Sequence, residues 1–352
     1  RGVAIKRMEA QQQKQLSPSA LAAMGLPPAN WESVGPAPIP NGQTSTRSDP
    51  VSGRTTAITI DPTDPDVAYV GTAQGGVYRT LDGGSTWTAI FDAAQSLAVG
   101  AIAIAPSDPS IVYVGTGEAN LSGDSFFGVG VYRINNAKTT ADLTGPINPS
   151  VSFNGGLVTT GAFTGRAISK IVVHPTLPGT VFVATATGIS GLGGGAFEAA
   201  TVVPPLGILG VYRSTDATAA APAFQKLSLG LALATRRFPL DPTSENSRVT
   251  DLVFEPGNPN VLLAAVMAGV SLEGGVYRSI NALAPKTLTT PSFTRTLNPG
   301  LNSIRIELAI NKVGPTVTVI AATGEPSTFS GSTRNIFFHA SAARSPRPLP
   351  CQ

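Results

Sequence analysis

Two sequence anchors return five times, always in the same order, and they constrain this chain more than anything else in it. The first is a proline turn: Asp61-Pro62 with Pro65, Ala105-Pro106 with Pro109, His174-Pro175 with Pro178, Glu255-Pro256 with Pro259, and a worn Asn311-Lys312 with Pro315. An apolar run follows each turn: VAYVGT, IVYVGT, VFVATA, VLLAAV and VTVIAA. The second anchor is Gly-Val-Tyr-Arg, at Gly76, Gly130, Gly210 and Gly275, with Asn335-Ile336-Phe337-Phe338 as its worn fifth copy. A chain so punctuated repeats one small unit. Such a unit cannot bury its own faces and must stack on its neighbours.

The most complete copy spans 52–90. Ile58 and Ile60 alternate with Thr59 in a first strand. Pro62 and Pro65 cannot sit inside a ladder, so they mark a turn. Val67 to Thr72 is a nearly continuous apolar run, as in a strand covered on both faces. Gly75-Gly76 turns the chain into Val77-Tyr78-Arg79-Thr80. The stretch TLDGGSTW then makes a tight hairpin, with Asp82 as an acceptor and Gly83-Gly84 supplying unusual backbone angles. Four antiparallel strands in one unit predict a blade of a β-propeller. The chain therefore reads as all-β, with five four-stranded blades near 52–90, 98–137, 165–227, 248–297 and 302–340. Residues 1–30 read as an N-terminal helical extension, 31–340 as the propeller and 341–352 as an irregular tail. The segment 31–36 around Trp31 resembles a fourth strand. Either it closes a five-bladed ring, or the blades belong to a larger propeller of about seven.

Residues 80–87 fit Ser/Thr-x-Asp-x-Gly-x-Thr-Trp, with Thr80, Asp82, Gly84, Thr86 and Trp87 in place. Together with the repeats, this resembles the BNR/Asp-box propeller superfamily. That resemblance covers sialidases, xyloglucanases, sortilin-type receptors and a photosystem II assembly factor. It implies a fold more than an activity. It also implies a structural role for the Asp-box residues. Ser214-Thr215-Asp216 keeps part of the pattern, whereas Ile134-Asn135-Asn136 and Ile280-Asn281 lack the aspartate.

Composition excludes several classes of function. The formal charge of +3 is spread thinly, with no basic run interleaved with aromatics, which disfavours nucleic acid. No apolar run reaches the roughly 18 residues of a membrane-spanning helix. The single cysteine, Cys351, allows no internal disulfide and no cysteine-rich metal site. No metal or other cofactor is expected. A secreted or cell-envelope monomer is the expected form.

Long insertions at 117–129, 135–164, 186–209 and 230–247 all follow second or fourth strands. They should gather on one face of the ring, opposite the Asp box. The most individual of them places Glu118, Asn120, Asp124, Phe126 and Phe127 on that face. There they would wall a groove as polar and aromatic contacts, or brace and pack their own loop. Arg54, Arg166 and Arg248 each begin an innermost strand near the channel mouth. They could hold a carboxylate or belong to the repeat. His174 takes the aspartate's place in a proline turn. The six tyrosines all sit at strand positions, which argues against a sialidase-like tyrosine nucleophile. Glu118, Asp124, Asp142, Glu198, Glu245, Glu273 and Glu325 are the acids from which a hydrolytic pair would come. The expectation is a non-catalytic binding or assembly propeller for a glycan, protein or peptide ligand. The alternative is a glycoside hydrolase, xyloglucanase-like more than sialidase-like.

Overall fold

The structure is a computed structural model. It describes residues 53–120, 125–152, 158–159, 161–188, 206–229, 247–267, 274–285, 293–298, 305–324 and 336–344, with 152, 158–159, 324 and 336–344 as backbone only. The expected N-terminal helix, the segment 31–36, the end of the tail and Asp124 lie outside the described residues. Every regular element among the described residues is a strand.

Blade 1 contains β1 (Thr55–Asp61), β2 (Asp64–Thr72), β3 (Val77–Thr80) and β4 (Thr88–Ala89), hydrogen-bonded in that order. Blade 2 contains β5 (Val99–Ile104), β6 (Val112–Thr116), β7 (Val131–Asn135) and β8 (Asp142–Ile147). A short hairpin of β9 (Val151–Ser152) and β10 (Val158–Thr159) follows it. Blade 3 contains β11 (Arg166–Val173), β12 (Val181–Thr187), β13 (Val211–Ser214) and β14 (Gln225–Leu227). Blade 4 contains β15 (Val249–Glu255), β16 (Asn258–Val266), β17 (Gly275–Ser279) and β18 (Thr294–Leu297). Blade 5 has three described strands, β19 (Arg305–Val313), β20 (Thr316–Gly324) and β21 (Ile336–Arg344).

The first strands of successive blades lie beside one another, so β1, β5, β11, β15 and β19 form the inner layer. The segment 135–164, expected as one long insertion, instead contains β8. Its insertion proper begins after Ile147. The register of β20 against β21 pairs Ile320 with Ala340. In blade 1, Tyr69 pairs with Arg79. Ala340, rather than Phe338, therefore stands where the other blades carry arginine.

Each blade has a front, facing the blade before it, and a back, facing the blade after it. Apolar residues fill the space between. A Cβ on Gly71, at the back of blade 1, would lie 2.5 Å from Val99 Cγ1 and 3.0 Å from Ile102 Cδ1 of blade 2. Large residues on one front thus dock against small residues on the back of the preceding blade, which is how close packing is reached between repeated units.

Three polar devices repeat from blade to blade, two of them across these interfaces. In blades 1 to 4 the inner strand carries a one-residue bulge, at Thr56, Gly100, Ser169 and Thr250. The hydroxyls of Thr56 and Thr250 donate to the carbonyls of Val99 and Ile306 in the next blade, each at 2.6 Å, and Ser169 donates likewise to Val249. Gly100 has no hydroxyl. Its Cβ would sit 2.2 Å from the Ile168 carbonyl, so glycine is required there. The arginine of the second anchor is the next device. Arg79 Nη1 donates to the Ala137 and Thr139 carbonyls, Arg133 to Ala217 and Ala219, and Arg213 to Ala282 and Ala284, all at 2.7–3.1 Å. Each arginine thus caps the hairpin between the third and fourth strands of the following blade. The third device lies within a blade. Thr72, Thr116 and Thr185 close the loop from second to third strand by bonding the anchor glycine's carbonyl.

Candidate functional site

At one end of the blades are the short turns after first and third strands. The expected Asp-box residues are there, and their bonds explain the hairpin. Asp82 accepts from the Thr86 backbone N–H at 2.8 Å, from the Thr86 hydroxyl at 2.7 Å and from the Thr80 hydroxyl at 2.8 Å. These bonds, the Thr86 hydroxyl foremost, hold its carboxyl below the ordinary aspartate value. Gly84 N–H donates to the Thr80 hydroxyl, and Trp87 Nε1 donates to the Gly84 carbonyl at 3.0 Å. Ser214 with Asp216 and Ser279 with Asn281 make the same two-residue clasp. Asn281 therefore does the aspartate's local work, although the sequence pattern there is lost. His174 likewise replaces Asp61. Thr176 N–H donates to its ring at 3.2 Å, as Thr63 N–H donates to Asp61 at 2.7 Å. Burial lowers the pKa of His174.

At the other end is the mouth, where the inner strands begin. Glu118 is fully buried. Arg54 Nη2 lies 2.7 and 2.8 Å from its two oxygens, and Asn120 Nδ2 donates to Oε1 at 2.6 Å. Asn120 in turn accepts from Arg305 Nη1 of blade 5 at 3.1 Å, and Arg305 Nε donates to Glu307 at 2.6 Å. One polar chain thus joins blade 1, the loop of blade 2 and the first residue of β19. Backbone geometry fixes the root of this loop. Gly117 has a φ of 86°, and a Cβ there would meet Gly128 N at 2.5 Å and Ala167 Cα at 2.7 Å.

The structure gives different placements to the expected site residues. Glu118 and Asn120 are brought together with Arg54, and Asn120 also with Arg305. Phe126 is 37% exposed, with Phe127 half-buried beside it. Gly188, just after β12, packs so tightly on this pair that a Cβ would lie 2.6 Å from Phe127 Cα. The first residues after β12 therefore do meet the 117–129 loop. Arg248 Nε donates to the Thr187 hydroxyl.

Arg166 departs from expectation. Thr55, Ile168 and Val249 each immediately precede the bulge, so Arg54 and Arg248 occupy one register and Ala167 shares it. Arg166 is one residue out. It is buried, with Nε donating to the Gly207 carbonyl. The residue that does begin the fifth inner strand, just before Ile306, is Arg305. The signal was in the spacing: Arg54 and Arg248 stand seven residues before Asp61 and Glu255, whereas Arg166 stands eight before His174. The mouth arginines are therefore Arg54, Arg248 and Arg305. Each is partly exposed.

Among the acids weighed for hydrolysis, Asp142 starts β8 beside the third-to-fourth hairpin, at the end away from the mouth, where Asn136 Nδ2 donates to it. Asp124, Glu198, Glu245, Glu273 and Glu325 lie outside the described residues. The buried strand tyrosines are held away from ionisation. Tyr113 donates to the Pro178 carbonyl at 2.8 Å, and burial pushes its pKa up to about 12, as it does for Tyr69. Among the described residues, no group of three or more His, Cys, Asp and Glu side chains could hold a metal ion, and no helix is long and apolar enough to cross a membrane.

No protein-family model and no curated protein matches the sequence. Solved structures do resemble it. A GH74 xyloglucanase from Xanthomonas campestris is 15% identical, with a TM-score of 0.45 over 85% of this chain and 39% of its own. A GH74 enzyme from Niastella koreensis is 15% identical, with a TM-score of 0.42 over 84% of this chain and 37% of its own. YCF48 from Cyanidioschyzon merolae is 13% identical, with a TM-score of 0.39 over 82% of this chain and 71% of its own. The chain thus spans well under half the length of either GH74 structure. Its own stacked four-stranded blades and inner-strand layer are those of an all-β propeller.

Proposed function

We propose that this chain is a non-catalytic binding propeller that meets its ligand at the mouth. The carrying observation is the state of Glu118. Its carboxylate is buried and occupied by Arg54 and Asn120. A general acid or nucleophile must reach the reacting atom, and Glu118 faces a guanidinium instead. Its role in this reading is to hold Arg54 and the loop in place. The groups left facing outward are the partly exposed Arg54, Arg248 and Arg305, with Phe126 as an apolar plate. Guanidinium groups suit carboxylates, and a ring plate suits a sugar face or an apolar side chain. The ligand class is an acidic glycan or a carboxylate-bearing peptide. A secreted or cell-envelope setting belongs to the same reading.

A glycan and peptide binding screen tests it, on wild type and on an Arg248→Ala, Phe126→Ala variant. Ligand should be bound, left chemically intact, and lost at least tenfold in affinity by the variant. A ligand bound equally by both proteins would move the site elsewhere. A glycan cleaved by wild type would replace binding with hydrolysis.

A further inference from the structure

Besides standing one residue out of register, Arg166 puts a cation where the repeat has none. Counting back from the inner-strand bulge, its place is held by Gly53, Leu97 and Ser247 in blades 1, 2 and 4. The Arg166 side chain is also buried, at 2% exposure. A guanidinium taken out of water is costly unless its N–H groups are used. Its use is local to the mouth, because the described ends of three insertions meet on this one residue.

The loop of blade 2 that carries Phe126 is the first. Gly128 N–H donates to the Arg166 carbonyl at 3.0 Å, and a Cβ on Gly128 would lie 2.7 Å from that oxygen. The insertion after Ile147 is the second. Arg166 N–H donates to the Phe163 carbonyl at 3.0 Å, and Gly165 N–H donates to the Gly128 carbonyl at 3.2 Å. The stretch before β13 is the third. Arg166 Nε donates to the Gly207 carbonyl, and Gly207 N–H donates to the Thr164 carbonyl at 2.9 Å. A Cβ on Gly207 would lie 2.1 Å from the Ala162 carbonyl oxygen, so these two backbones touch. The backbone of Arg166 thus makes the first two contacts, and its guanidinium makes the third.

Arg166 also stands next to the groups that face outward. Its Cα partner across the β11–β12 pair is Thr187, whose hydroxyl accepts from Arg248 Nε. The following residue, Gly188, lies against the Phe126 loop, where a Cβ would be 2.8 Å from the Phe126 carbonyl oxygen. On its other flank that carbonyl accepts from Glu118 N–H at 2.9 Å. Phe126 and Arg248 are therefore each reached from Arg166 through one or two contacts.

We propose that Arg166 is the positioning residue of the mouth: its buried guanidinium locks three insertions into one block, which presents Phe126 and Arg248 to a ligand in a fixed arrangement. This rests on the mouth being the binding end. Arg166 itself does not touch the ligand. A site set before the ligand arrives loses less conformational freedom on binding, so affinity falls when the block comes apart even though every contact residue is still present.

The test is residue-resolved amide hydrogen exchange on the full chain, which reports local opening. Wild type is compared with Arg166→Met, which keeps much of the volume without a donor, and with Arg166→Lys, which restores one. Arg213→Met is the scaffold control. In Arg166→Met the N–H groups of Gly128, Gly165 and Gly207 should exchange at least tenfold faster, with a smaller change in β15. Arg166→Lys should lie between Arg166→Met and wild type. It gives the same reading by itself should Arg166→Met not fold. Arg213→Met should quicken those three amides no more than the rest. Tetragalacturonate and a hexaglutamate peptide are the binding probes. Whichever binds wild type should bind Arg166→Met at least fivefold more weakly and Arg213→Met within twofold. Three results overturn the proposal. The three amides quicken no more than the strands do. Or Arg166→Met and Arg166→Lys quicken them alike, which leaves the side chain a filler of volume. Or a probe binds Arg166→Met as tightly as wild type although the amides have loosened. Failure of both probes to bind wild type counts against the acidic-ligand reading of the mouth, and the exchange comparison still decides whether Arg166 holds the block.

Discussion

The two ends of the blades solve the same problem in different ways. At the hairpin end, Arg79, Arg133 and Arg213 each cap the next blade's turn with the same pair of carbonyl contacts. At the mouth end, the chain Arg54–Glu118–Asn120–Arg305 occurs once among the described residues and joins three blades. A tie made at three successive interfaces answers a need those interfaces share, namely a partner for the buried turn carbonyls. A tie made once answers something particular to its place. Repetition marks the hairpin end as scaffold, and the single tie supports our proposal that the ligand is met at the mouth.

The largest expected effect tests the scaffold. Arg213 is buried and bonds two carbonyls and the Gln225 side chain. Arg213→Ala should cost about 3–5 kcal/mol, because charge-assisted bonds are lost and buried carbonyls are left without donors. Chemical denaturation measures it. A cost under about 1 kcal/mol would mean that the repeated tie is not what holds the interface.

Next comes the singular tie. Glu118→Ala removes a buried carboxylate, but Arg54 is 43% exposed and regains water. The expected loss is about 2 kcal/mol, below the larger values seen when the surviving charge stays buried. Any ligand bound by wild type should bind the folded variant more weakly, in step with the lost stability, because Arg54 and Asn120 lose the group that positions them. Loss of binding with unchanged stability would make Glu118 a contact residue and blur the contrast between the two ends.

Trp87 comes third. The hairpin pattern alone suggests a buried plate, but the ring is only half-buried and donates to the Gly84 carbonyl. Trp87→Ala should cost about 1–2 kcal/mol, rather than the roughly 3–5 kcal/mol of a fully buried aromatic. Thermal unfolding separates these ranges.

The smallest effect is a pH dependence at Asp82. Its carboxyl lies below the ordinary value in the folded protein because the Thr86 hydroxyl, the Thr86 N–H and the Thr80 hydroxyl bond the ionised form. A lowered folded pKa gives stability that is complete above the unfolded value, near 3.9, and lost as pH falls through the folded one. Asp82→Asn should therefore flatten part of the acid limb below about pH 4 and change nothing of that limb's shape above it. An unchanged acid limb would mean that the hairpin bonds do not distinguish the two protonation states.

By itself the sequence determined the blades. Proline turns, apolar runs and Gly-Val-Tyr-Arg recur at a spacing that only stacked four-stranded units accommodate, and each signal acts within a few residues of chain. Hairpin chemistry was legible for the same reason, since Thr80, Asp82 and Thr86 bond one another across a single turn. Tertiary structure decided what lay between blades. Arg166 looks equivalent to Arg54 and Arg248 along the chain, yet the bulge at Ser169 puts Ala167 in their register and sends Arg166 inward. A strand alternates its faces at every residue, so an error of one residue in counting reverses a side chain. Arg305 joined the mouth, and Glu118 found Arg54 across 64 residues and Asn120 found Arg305 across 185. Such pairings depend on how the blades are set around their axis, and no local pattern in the chain carries that information.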